Sequence, residues 1–365
     1  MVNSNDNRMA WVRNIEKVRE GNVHTYTHEY ELASEVFIPG VLNYAEENIL
    51  CAFLTDRKDR QGLYKYLLRL KATPQGSSVN FDADEKGYLF IDGILGELLA
   101  LFSVFFQCRF YLVNSFSFEL TPEGPKIKYE FDPVYRPCHQ TLDPWVLSGS
   151  QRNFARGLPD FLDQVFEMKM KYHQRFILAC HHYSRALKEI GIDEEMEFIR
   201  LVSAIEALCG DVILQESDDP FQGKRFEDIV RCEILSDSER GELKKIFDVR
   251  KAKKRFKYFI HMYSKGFFKG GRSKAPYARI RKADLPRKLD AIYNARSGYL
   301  HSGEPMHLSR ATCGKLRWDT EPVGATIIDN RRIREGTRLP CASFFQRLVR
   351  YCLLQYFHDV RNRDS

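Results

Sequence analysis

The apolar and polar positions follow two different periods in the two halves of the chain. Residues 23–38 alternate in part, with Val23, Thr25 and Thr27 and then Tyr30 and Leu32 at strand spacing, which predicts a half-buried strand. Residues 41–54, opening after Pro39-Gly40, predict a short helix, and 63–70 is a further apolar run. Pro74 and Gly76 mark a loop over 73–78. The most apolar stretch, 88–113, is broken by Asp92, Glu97 and Arg109. Its charge-free centre, 98–108, is too short to span a bilayer, so a buried helix over 94–106 feeding a strand is expected. Strands are predicted over 110–120 and 126–131, joined by a turn at Pro122-Glu123-Gly124-Pro125.

The second half has helical period. Tyr172, Phe176, Ala179, Tyr183, Leu187 and Ile190 recur at steps of three and four until Gly191 stops the run. Asp193 can cap a second helix with Phe198, Val202, Ile205 and Leu208 on its apolar face and Gly210 at its end. A third helical segment covers 226–263, a fourth runs from Pro286 to about residue 300, and a last one covers 343–356. Between the halves, 132–159 is rich in Pro and Gly. The expected architecture is a mixed α+β domain over 1–158, followed over 159–365 by an all-α helical bundle.

Composition narrows the class. At 365 residues, 44% hydrophobic and 13% aromatic, the chain has enough apolar content for a real core and is not generally disordered. Residues 1–11 lack the apolar core of a secretory leader, and no membrane partner is expected. The nine cysteines are scattered without CxxC pairs, which predicts reduced thiols in a cytoplasmic protein and gives no metal-ligand spacing. No metal and no cofactor is therefore expected. P-loop, dinucleotide and nucleophile-elbow patterns are absent from the sequence.

The sharpest local feature is Tyr-Asn-Ala-Arg-Ser-Gly-Tyr-Leu-His-Ser-Gly over residues 293–303, with Arg296 and His301 near a helix end set by Gly303 and Pro305. Spacing alone does not carry the argument, because about two or three such Arg–His pairs are expected by chance and the chain also has Arg175 with His181 and Arg255 with His261. Context adds more. A helix C-terminus favours a protonated imidazole, and a guanidinium is a planar fork suited to phosphate. His301 moving a proton while Arg296 holds a strained phosphoryl group would suit RNA cleavage. The competing reading is a helix-terminal Arg and His that solvate a surface. Glu206 follows Val202 by four, near the buried edge of its helix. A carboxylate there needs a cationic partner, either Arg296 or any neighbouring Lys or Arg.

This segment resembles the RxxxxH signature of the HEPN superfamily, in particular its ApeA-like branch, where Tyr-x-x-Arg-Ser-x-x-x-His-x-Gly is a familiar form. Residues 175–187 resemble the first bundle helix of that branch. Residues 198–208, ending Ala-Ile-Glu-Ala-Leu, resemble the second, and Leu339-Pro340 with 345–350 the closing helix. The resemblance covers roughly 160–358. It implies a dimerising HEPN-like bundle with two Arg–His motifs across a cleft. The activity it implies is metal-independent endoribonuclease action in defence or toxin systems, by attack of the ribose 2′-hydroxyl. Carried over, Arg296, His301 and Ser297 are catalytic, with Glu206 and Tyr293 in support. A protein trigger or an antitoxin is implied as a further partner, with the domain over 1–158 sensing a trigger or selecting a target. Gly298 inside the motif helix and an inserted basic loop near 263–286 depart from the pattern.

Charge then changes the picture. The formal net charge is +7, but 250–288 holds fifteen cations against the single acid Asp284, a net +14. The rest of the chain therefore carries −7. Lys253, Lys254, Lys269, Arg272, Lys274, Arg279 and Arg281 are expected to track phosphates, and interleaved aromatics such as Tyr258 and Phe268 offer stacking faces. Phe256 and Phe259 are expected to face the core instead. RNA beside the Arg296 motif is the partner that this distribution suggests, and a binding module without catalysis is the rival reading.

Overall fold

The computed structural model describes residues 10–21, 25–45, 48–54, 57–59, 62–73, 93–121, 124–131, 152–212, 235–269, 279–306, 308, 319–320, 326–328, 331–333 and 339–364. By packing the chain divides into two compact units, 1–197 with 357–365, and 198–356.

The first unit is built on a sheet. Helix α1 (Ala10–Arg19) precedes strands β1 (Tyr26–Ser34), β2 (Val41–Tyr44), β3 (Ile49–Phe53) and β4 (Tyr64–Ala72). Helix α2 (Gly93–Phe106), strands β5 (Tyr111–Thr121) and β6 (Gly124–Phe131), and helices α3 (Leu158–Phe166) and α4 (Met170–Glu189) follow. The six strands run in the order β2-β3-β4-β1-β5-β6, every neighbouring pair antiparallel. Period-2 burial is cleanest in β4, where Tyr66, Leu68, Leu70 and Ala72 are buried and Lys65, Leu67, Arg69 and Lys71 are half-buried on the other face. On that outer face Arg69 pairs with Glu29 and Lys65 with Glu31 across the β1–β4 register.

The expected helix over 41–54 is instead the β2–β3 hairpin, paired from Val41↔Ala52 to Tyr44↔Ile49. Alternating burial in β2 and a turn with Ala45 at φ 53 override the helical propensity of the intervening Ala-Glu-Glu. Helix α2 falls where the apolar run predicts and buries nearly all its faces. Phe102 and Phe106 meet Phe110 and Phe154, which in turn meet Tyr66, in an edge-to-face cluster with centroids 5.3 to 6.4 Å apart. Two polar groups on α2 are satisfied within this core. Glu97 accepts the Trp11 backbone N–H at 3.0 Å, and the Ser103 and Ser184 hydroxyls meet at 3.0 Å between α2 and α4. Residue 158, the boundary expected from composition, opens α3, and α3 and α4 lie within the first unit.

The second unit is mostly helical. Helix α5 (Glu194–Glu206) starts at Asp193, whose carboxylate accepts the Met196 N–H at 2.9 Å. It stops at Glu206 rather than Gly210, and a 3₁₀ turn, Cys209–Asp211, takes over. Helix α6 (Asp237–Tyr263) opens with a capping box in which the Ser236 hydroxyl accepts from Glu239 N–H and the Glu239 carboxylate accepts from Ser236 N–H. The part of the third helical expectation before residue 235 lies outside the described residues. Helix α7 (Leu285–Ser302), a short hairpin of β7 (Thr326–Ile328) and β8 (Arg331–Ile333), and α8 (Ala342–Asp364) complete the chain. Phe256, Phe259, Ile260 and Tyr263 form the buried face of α6. Phe256 meets Tyr293 of α7 at 5.4 Å, and Phe259 and Tyr263 each meet Tyr356 at 5.7 Å.

Asp319 is the polar centre of this unit. It is buried and accepts from Arg347 of α8 at 2.6 Å and from the Ile280 backbone N–H at 3.2 Å. One carboxylate thereby fixes the chain just before α7 to the start of α8. Among the described residues no helix is long and apolar enough to cross a membrane. The six described cysteines, 51, 108, 180, 209, 341 and 352, are buried free thiols.

Candidate functional site

Helix α7 carries the Arg–His motif, and its ends are set locally. Pro286 occupies the first turn, and Gly303 sits in the left-handed region at φ 65. The Gly303 and Glu304 amides return to the carbonyls of Tyr299 and Gly298 at 3.1 and 3.3 Å. His301 is therefore in the last helical turn, and its side chain is exposed. Ser297 is half-buried beside Arg296.

Arg296 is held from two sides. Its Nη2 donates to Glu206 Oε2 of α5 at 2.9 Å, and its guanidinium lies 5.8 Å from the Tyr293 ring centroid. Both side chains of the ion pair are about one-fifth to one-quarter exposed, so the contact is partly screened. Tyr293 is buried close to the same Glu206 carboxylate. Burial first, and then the charge of Glu206, push its phenol up to about 12, with Arg296 pulling the other way. Glu206 thus receives the Arg296 guanidinium with the Tyr293 phenol nearby, and Arg296 Nε stays buried without a partner among the described residues.

Five residues along a helix amount to about 500° of rotation, so Arg296 and His301 point about 140° apart. The two motif side chains do not share a face of α7. What gathers around Arg296 is Glu206 and Tyr293, and Cys209 lies three residues beyond Glu206. Burial and the neighbouring Glu206 raise the Cys209 thiol, while Arg255 of α6 opposes the shift. Arg255 is exposed and lies within electrostatic reach of the end of α5.

The predicted phosphate-tracking cations fall into distinct settings. Lys253 faces α7, where it donates to Asn294 at 2.9 Å and pairs with Asp290 at 3.0 Å. Lys257 pairs with the same Asp290 at 2.7 Å. Burial acts to raise the Asp290 carboxyl, but hydrogen bonds from Lys257 and Lys253 outweigh it and hold the carboxyl below its ordinary range. These lysines join two helices. Lys254 is half-buried, and Lys269, Arg279 and Arg281 are exposed. Arg272 and Lys274 lie outside the described residues. Phe256 and Phe259 are fully buried.

Sequence reasoning missed Arg255 and Asp290 as members of this neighbourhood. Helical phase would have found Arg255, because it borders the apolar face of α6, one i,i+4 step before Phe259. No local signal marks Asp290, which depends on the packing of a second helix. Among the described residues no group of three or more His, Cys, Asp and Glu side chains converges as a metal site would require. No family model, no curated protein and no solved structure matches this chain.

Proposed function

We propose that the protein is a HEPN-type, metal-independent endoribonuclease acting in phage defence or a toxin system. The observation that carries this reading is the grip on Arg296: a guanidinium fixed by Glu206 and Tyr293 on a helix whose last turn exposes His301. Fixed cationic donors aimed at a phosphate stabilise charge that develops in the transition state. The 2′-hydroxyl gives its proton to the His301 imidazole and attacks the adjacent phosphorus. The O2′–P bond forms and the P–O5′ bond breaks. The products are a 2′,3′-cyclic phosphate and a 5′-hydroxyl end. The departing 5′ oxygen takes a proton from the imidazolium of a second copy, so a homodimer with two motifs across a cleft suits the chemistry. The 140° separation of Arg296 and His301 around α7 is one reason to involve two copies.

A second reading, a non-catalytic module that binds nucleic acid or a protein partner, draws on the same pair. Glu206 neutralises Arg296 within the chain, as it would in a purely structural helix contact. Incubation of the full-length protein with single-stranded and structured RNA in EDTA separates the two. Catalysis predicts 2′,3′-cyclic phosphate ends, lost by about 100-fold or more in His301→Ala and in Arg296→Ala. Equal cleavage by His301→Ala, or none by the parent chain, leaves the binding module.

A further inference from the structure

The outward face of α6 carries cations and a ring outside the Arg296 motif. Phe256, Phe259, Ile260 and Tyr263 point to the core, and Lys253 and Lys257 point to Asp290. Lys251, Arg255, Tyr258 and Met262 recur at steps of four, three and four, so they form one stripe, turned about 120° from the apolar face and away from Lys253 and Lys257. Lys254 and Lys265 flank it, and no acid lies between residues 250 and 265. Arg255 is exposed, while Lys251, Tyr258 and Met262 are half-buried.

The stripe is tied to the site by one ring contact. Phe256, next to Arg255, packs on Tyr293, whose phenol feels the charge of Glu206. Arg255 lies within electrostatic reach of Cys209, three residues beyond Glu206. Arg296 is occupied by Glu206, whereas Arg255 makes no hydrogen bond or ion pair among the described residues. Cations spaced along a helix with an aromatic ring between them suit an unpaired strand, whose phosphates they neutralise and whose bases stack on the ring. An acidic polypeptide would gain nothing from the ring.

The geometry points to this stripe as the path by which single-stranded RNA reaches the Glu206–Arg296 site, with Arg255 holding a phosphate and Tyr258 stacking on a base. The substrate class rests on the nuclease reading above, but the path is testable without cleavage. The probe is a labelled single-stranded RNA of about 12 nucleotides, long enough for one binding groove. It is titrated in EDTA against the full-length His301→Ala chain, across a series of salt concentrations. On that background Arg255→Ala is expected to weaken binding about tenfold and to lower the slope of log affinity against log salt by about 1. Tyr258→Ala is expected to weaken binding about tenfold, and Tyr258→Phe to bind as its parent, since the ring is what stacks. Arg156→Ala, an exposed cation of the first unit, is expected to change nothing. Thermal melts check that each variant is folded.

Parental affinity in both Arg255→Ala and Tyr258→Ala overturns the path, as does an equal loss in Arg156→Ala or equal competition by polyglutamate. Cleavage by the otherwise unaltered chain that Arg255→Ala leaves untouched overturns the path and spares the nuclease. Arg255- and Tyr258-dependent binding by a chain that never cleaves supports the path and overturns the nuclease.

Discussion

Two glycines five residues apart in α7 have opposite requirements. Gly303 has φ 65, where a Cβ adds strain, so Gly303→Ala is expected to destabilise the protein by about 1–2 kcal/mol. Gly298 is interior to the helix, and a Cβ there would meet only the Glu304 side chain, with Oε2 at 3.0 Å. That carboxylate is exposed at the end of a flexible side chain and can swing aside. Gly298→Ala is therefore expected to stabilise by about 0.5–1 kcal/mol through helix propensity, read as a rise in the thermal midpoint. The sequence distinguishes these two glycines because Pro305 follows the second. It also marks Glu206 as a carboxylate in want of a partner, through its four-residue step from Val202. It does not show that Arg296 is that partner, because the guanidinium reaches Glu206 only after α5 and α7 pack.

Between elements, buried and half-exposed ion pairs behave differently. The Asp319–Arg347 pair is nearly inaccessible, so Arg347→Met strands a buried carboxylate and is expected to cost about 3–5 kcal/mol in urea unfolding. Asp290 sits between Lys253 and Lys257 at the α6–α7 contact with its carboxyl held low. Its contribution is fully present above the ordinary carboxylate range, about pH 4, and is lost as pH falls through the lowered folded value. Asp290→Asn is expected to flatten that part of the acid limb when thermal midpoints are followed from about pH 6 to pH 2. Elements with one dominant period or a long apolar run, such as α4 and α2, and the strands β5 and β6 around a Pro-Gly turn, are legible in the sequence. The β2–β3 hairpin is not, because its turn has no glycine or proline. Ala45 takes the left-handed conformation there, and Ala-Glu-Glu between two apolar runs reads as helix.

At the scale of the molecule, the modest +7 conceals a strong local asymmetry, and helical phase then sorts the basic segment by task. Lys253 and Lys257 spend their charge on Asp290, Phe256 and Phe259 are core, and the remaining face of α6 stays cationic. A count of charges along the sequence finds the segment. It cannot divide it, because Asp290 lies 33 residues beyond Lys257 and meets it only through packing. Distance along the chain has one more consequence. Arg296 is gripped by a carboxylate ninety residues earlier, and α6 is made between the two. During synthesis the grip is absent until the ribosome has passed α7, and the buried support of Asp319 and Arg347 comes later still. A chain released early, with α5 and α6 but no α7, carries the basic stripe and no Arg296. Any activity that harms its own host would therefore be withheld from unfinished copies by the order in which the residues are made.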